Sequence, residues 1–264
     1  MTASSSGRLL ISHITLRGPE LAQLYALIAR QPAITYAEVA DAMLLPDERS
    51  ELAEAPLRET LNFLLLARLL ERQGSGKLSK WSVTPSDSSL PFPLLLLRHI
   101  RSHPDMRQRA ITLVHNQLVA ADTVIVTLPL LRDQVERGAY ASLFAWTGEK
   151  IQLWSHLSHF IGLVRRFERS PDLALVPQPA LVLAALRYAL QYDCGPSLDA
   201  CLHWIDSQLF ACFTQRGHVH RGMVQTLLTL DQLHQIRLSH SADAAGSLLL
   251  EGRRVSEVYV LEDM

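Results

Sequence analysis

At 264 residues, with 48% hydrophobic and 19% charged side chains, the chain can bury a full core and is too apolar for general disorder. A formal net charge of −1 excludes holding DNA by bulk electrostatics alone. The longest apolar run, at 90–97, contains two prolines and falls far short of the roughly 20 residues a membrane helix needs.

The opening MTASSSGR is polar, and residues 1–17 read as a flexible tail with no signal-peptide form, so a cytoplasmic protein is expected. Gly18-Pro19-Glu20 then opens a helix whose apolar face is Leu21, Leu24, Tyr25, Leu27 and Ile28, and Pro32 ends it. Thr35 with Glu38 forms a capping box for a second helix, with Val39, Ala40 and Met43 inward. A polar break at 46–53 precedes a third helix at 56–72, followed by LERQGSGKLSKWSVT.

The GSGK run in that stretch invites a phosphate-loop reading, which fails. Leu78 stands where Ser or Thr should hold magnesium, and Glu71 stands five before Gly76 in place of glycine. The helix also precedes the loop, whereas an anion needs the N-terminus of a following helix. Gly74-Ser75-Gly76 is read as a hairpin tip leading to an alternating strand, Lys80 to Thr84. Three helices closed by a glycine-tipped hairpin make 18–85 resemble a winged-helix domain. The pattern Leu69-Leu70-Glu71-Arg72, glycine turn, Trp81-Ser82-Val83-Thr84 is similar to the end of many bacterial winged-helix repressors.

SDSSLPFP, at 86–93, reads as a linker. The middle, 94–176, reads as helical, with helices at 94–102 and 105–120 divided by Pro104 and another at 130–138. The run 123–128 is either a strand or part of a buried helix. Thr147 caps a long helix at 148–169 marked by Ile151, Trp154, Leu157, Phe160, Ile161, Val164 and Phe167. In the last part, 177–264, helices are expected at 180–192, at 197–213 with Ser197 as cap, and at 219–236. An alternating strand at 254–261 closes it. Three helices followed by two strands is the N-terminal arrangement again, so the expected fold is mainly α, with a winged-helix domain at each end and a helical middle. Tandem winged-helix proteins serve as DNA readers or as non-catalytic subunits of larger assemblies.

The resemblance implies that each third helix faces the major groove. In the first domain the outward positions are Arg58, Glu59, Asn62 and Arg68 among many leucines. That helix is expected to be buried twice, leaving the wing lysines Lys77 and Lys80 for phosphates. The second third helix offers His218, His220, Arg221, Gln225, Thr229 and Gln232 as base-edge donors and acceptors, with Arg253 and Arg254 beside its wing. The bland alternative is a solvated helix face. The middle carries 10 basic against 7 acidic residues, the only part with a basic excess. Its cluster Arg98, His99, Arg101, His103, Arg107 and Arg109, with Arg165, Arg166 and Arg169 further on, fits phosphates, an acidic protein partner or simply a solvated helix end.

Cys194, Cys201, His203, Cys212, His218 and His220 lack the paired spacing of structural zinc, so no metal is expected and the thiols should be reduced. No G-x-S-x-G elbow or carboxylate pair suggests catalysis. The expected function is a non-enzymatic winged-helix subunit, without cofactor, of a larger bacterial complex that handles DNA, including defence against foreign DNA. Its partners would be larger protein chains and DNA, with no membrane and no small-molecule ligand. Alternatives are a stand-alone homodimeric regulator and a small-molecule sensor or enzyme built around the middle helices, with Trp146, Trp154 and the nearby histidines as a pocket.

Overall fold

The computed structural model describes residues 9–13, 16–44, 51–85, 90–192, 194–241 and 246–261. The chain is mainly helical, with small antiparallel sheets. Helix α1 (Gly18–Arg30) has Pro19 in its first turn and buries Leu21, Leu24 and Ile28. Ala33, at φ 63°, turns the chain into β1 (Ile34–Thr35). Thr35 then caps α2 (Tyr36–Met43) with the expected capping box, its N–H donating to the Glu38 carboxylate at 2.8 Å. Helix α3 (Glu51–Leu66) starts inside the expected polar break and stops six residues short of 72, because Arg68 adopts a left-handed φ of 61°. Residues 45–50 of that break lie outside the described residues. Strands β2 (Leu70–Gln73) and β3 (Lys80–Val83) close the unit, and the sheet order is β1-β3-β2.

The middle is not simply helical. Helix α5 (Ala110–Ala120) is followed by Asp122 at φ 54° and by β4 (Ile125–Thr127), so the run that periodicity left open is a strand. Thr127 caps α6 (Leu128–Arg137), and Thr147 caps α7 (Gly148–Ile161). The expected helix to 169 ends eight residues early. Gly162, at φ 97°, terminates α7, and β5 (Arg165–Arg166) and β6 (Asp172–Ala174) follow, in sheet order β4-β6-β5.

The last part repeats the plan. Helix α8 (Pro179–Gln191) leads through Gly195, at φ 55°, to Ser197, which caps α9 (Leu198–Gln208) and bridges to Glu257. Helix α10 (Arg221–Gln232) ends near His234, at φ 55°, and β7 (Ile236–Ser239) follows. A small hairpin, β8 (Leu248–Leu250) with β9 (Arg253–Val255), precedes β10 (Glu257–Val260), which pairs with β7.

Helix, strand, helix, helix, strand, strand occurs in the first two units, each with the closing strand in the centre of a three-stranded sheet. The third unit varies the plan, with an isolated bridge at Ser197 in place of the first strand and β10 paired with β7. One junction explains the repetition. In each unit a hydroxyl residue caps the second helix while pairing with the first residue of the closing strand: Thr35 with Lys80, Thr127 with Asp172, Ser197 with Glu257. The cap thus sets helix start and sheet register together.

Helix α4 (Phe92–Arg101) links the units, packing on α5, α7 and α8, with Leu94 to Leu97 and Ile100 all buried. Of the expected linker, 86–89 lie outside the described residues, while Leu90 is buried and Phe92-Pro93 belong to α4. The expected tail is also corrected. Leu9, Leu10, Ile11 and His13 are buried, and the Leu10 N–H donates to Gln108 Oε1 at 2.7 Å. Their apolar side chains complete the core near α5 and α7, while residues 1–8 and 14–15 lie outside the described residues. A continuous apolar cluster joins all three units. Among the described residues no helix is long and apolar enough to cross a membrane.

Candidate nucleic-acid interface

Helix α10 presents fewer free groups than its sequence suggests. His220 is buried, and a ring nitrogen bonds the Thr123 carbonyl at 2.9 Å. It holds α10 against the end of α5 and cannot reach a base edge; burial pushes its pKa down. Arg221 is exposed but pairs with the Asp122 carboxylate at 2.9 Å and donates to the Asp122 carbonyl at 3.0 Å. The Thr229 hydroxyl donates to the Gln225 carbonyl one turn back. Arg253 pairs with Asp231 at 2.8 Å and also donates to the Leu238 carbonyl. His218, Gln225, Gln232 and Arg254 remain exposed.

The basic cluster around α4 consists largely of struts. Arg98 donates to the Tyr188 hydroxyl at 3.3 Å, tying α4 to α8. Arg101 donates to the Ser207 carbonyl at 2.9 Å and lies 4.0 Å from the Asp206 carboxylate. Arg109 donates to the His103 carbonyl, and buried His103 reaches the Leu66 carbonyl at 3.1 Å. These side chains already bond a hydroxyl or backbone carbonyls of neighbouring segments, so a phosphate would have to displace those partners. Arg107 alone of the four candidate arginines is exposed.

On the first unit, Lys80 is exposed, and the Lys77 side chain lies outside the described residues. A groove of about 380 Å³ runs between α3 and the hairpin, lined by Tyr36, Arg58, Asn62, Arg72 and Gly76. Helix α3 is therefore less sealed than expected, although Leu57, Leu61, Phe63 and Leu64 are buried on its other side. Its cationic character is reduced, because Arg58 pairs with Glu54 at 2.7 Å. The Tyr36 hydroxyl donates to the same carboxylate at 3.0 Å and accepts from Arg58 Nε at 3.1 Å. Arg72 lies over the Trp81 ring, 5.7 Å from its centroid.

A second groove, of about 730 Å³, lies where the second unit meets the third. Its walls are the end of α7, strand β5, the start of α8 and the end of α10, including His159, Arg165, Arg166, Gln178, Thr229 and Gln235. The walls are pinned. Gln178 donates its N–H to the Gly162 carbonyl at 2.7 Å and its side-chain amide to the His159 carbonyl at 3.1 Å. The Thr226 hydroxyl donates to the Pro177 carbonyl at 2.7 Å. No carboxylate lines this groove. In the sequence Arg165 and Arg166 fell inside an expected helix; Gly162 was the signal that the helix stops and a strand edge begins.

Cys201 and Cys212 are buried, and burial pushes the Cys201 thiol up to about 12. Among the described residues no three His, Cys, Asp or Glu groups are placed to hold a metal ion. Each closing hairpin carries one exposed large apolar side chain: Leu78, Phe167 and Leu249. Comparisons with protein-family models, with curated proteins and with solved structures return no match.

Proposed function

We propose that this chain is a non-catalytic, winged-helix-type subunit of a larger bacterial complex that handles DNA, with the wing plan present at both ends and repeated in the middle. The element order and sheet order shared by the first two units support this reading, with the third unit following a related plan around β7 and β10. The observation that carries the partner-binding part is the wings themselves. Leu78 is 85% exposed, Phe167 49% and Leu249 66%, one in each hairpin. An apolar side chain at a wing gains little from phosphates and much from a protein surface. The main cations of the third helices are meanwhile neutralised, Arg58 by Glu54 and Arg221 by Asp122.

The test is purification of the native assembly by size exclusion with identification of co-eluting chains. Larger chains in fixed stoichiometry are expected. The triple variant Leu78→Ser, Phe167→Ser, Leu249→Ser should fold, by circular dichroism, and lose them. Elution of the wild type as a free dimer that binds one specific duplex tightly would instead establish a stand-alone regulator.

A further inference from the structure

We infer that the groove between the second and third units is a binding site for the phosphodiester backbone of a nucleic acid, with Arg165 and Arg166 as its principal donors. The inference rests on the DNA-handling reading above and assigns DNA to the junction of the second and third units, which takes in only the ends of the third helices α7 and α10.

Charge is the first argument. The two arginines are consecutive in β5, one half-buried and the other exposed. Among the described residues neither guanidinium has a hydrogen-bond or ion-pair partner, unlike Arg58, Arg101, Arg132, Arg221 and Arg253. The lining contributes two arginines and a histidine against no acid. The positive potential is felt nearby, since Arg166 and His159 help burial to depress the His156 pKa. An anion entering here displaces water only, not an existing partner.

Geometry is the second argument. The Arg165 and Arg166 backbones are fixed by pairing with Ala174 and Leu173 of β6, and the opposite wall is held by the Gln178 and Thr226 bonds. His159 Nδ1 contacts the Val164 carbonyl at 3.2 Å, so the hydrogen sits on Nδ1 and the ring is oriented. The groove is open to solvent rather than enclosed, which suits a strand lying across it better than a buried small molecule. Helical spacing places Arg187 two turns along α8 from Ala180, extending the cationic rim beyond the groove. Planar guanidiniums in a preset position lose little freedom on gripping phosphate.

The test measures fluorescence anisotropy of a labelled 20-base-pair duplex with the full chain across a salt series. The double variant Arg165→Ala, Arg166→Ala, checked by circular dichroism, should bind about tenfold more weakly or worse. The slope of log affinity against log salt should shrink by about 1.8, or ~0.9 per phosphate contact removed. Arg30→Ala, at the exposed end of α1 in the first unit, should leave both unchanged. Equal affinity and slope in the folded double variant, or no wild-type binding at low salt, would overturn the inference. So would equal competition by polyglutamate, which marks a generic polyanion surface. If the double variant loses co-eluting protein chains while DNA is never bound, the groove is a protein site: the inference fails and the subunit reading stands.

Discussion

His115 shows how one side chain sets a pH limit for the whole fold. It is buried beside Phe210, its Nδ1 has no hydrogen-bond partner among the described residues, and its pKa is lowered to about 3 by burial first, then by His220 and Arg101. In the unfolded chain the same ring takes up a proton near pH 6.5. Its contribution is therefore complete above about pH 6.5 and is lost as pH falls toward 3, at up to ~1.4 kcal/mol per pH unit. Urea unfolding at pH 7 and pH 5 should show this loss, and His115→Leu should flatten it. At the same scale, the buried thiols imply slow chemistry. Native protein should react with a thiol reagent at Cys194, which is half-buried, well before Cys201 and Cys212, as mass mapping of labelled peptides would show.

Caps and close approaches decide the elements. Thr127→Ala removes the hydroxyl that accepts from the Leu130 N–H and should cost about 1 kcal/mol in urea unfolding, as should Thr35→Ala. Gly222 has a different role. A Cβ there would sit 1.9 Å from the Leu175 carbonyl oxygen, so α10 touches the segment leaving β6 only because no side chain intervenes. Gly222→Ala should cost about 3 kcal/mol or more and loosen the junction of the last two units. Caps were also the most legible part of the sequence: Thr35 with Glu38, Thr147 and Ser197 each mark a helix start where the structure has one. The middle sheet was not legible, because strands of two or three residues are too short to show alternation. Val164 and Phe167 continued the helical spacing of α7 by coincidence, Val164 being buried beyond Gly162 and Phe167 lying exposed in the hairpin. Of the candidate site residues, residue type identified the basic groups. The partners that neutralise them could not be seen, since Asp122 and Arg221 are 99 positions apart.

Each unit carries its own optical reporter: Trp81 in the first, Trp146 and Trp154 in the second, Trp204 in the third. Because one apolar cluster spans all three, variants retaining a single tryptophan should give coincident unfolding midpoints. Separate midpoints would mean that the units fold independently. Leu96→Ala, in α4, should lower every midpoint together, by 2–5 kcal/mol of stability, a range typical of buried leucine truncation. Helix α4 also governs what can be cut away. It is a greasy rod shared by neighbours on several sides, so excising any one unit strips its cover and leaves a sticky remnant. Proteases should therefore yield the intact body or small fragments, with no stable single-unit core surviving on a gel.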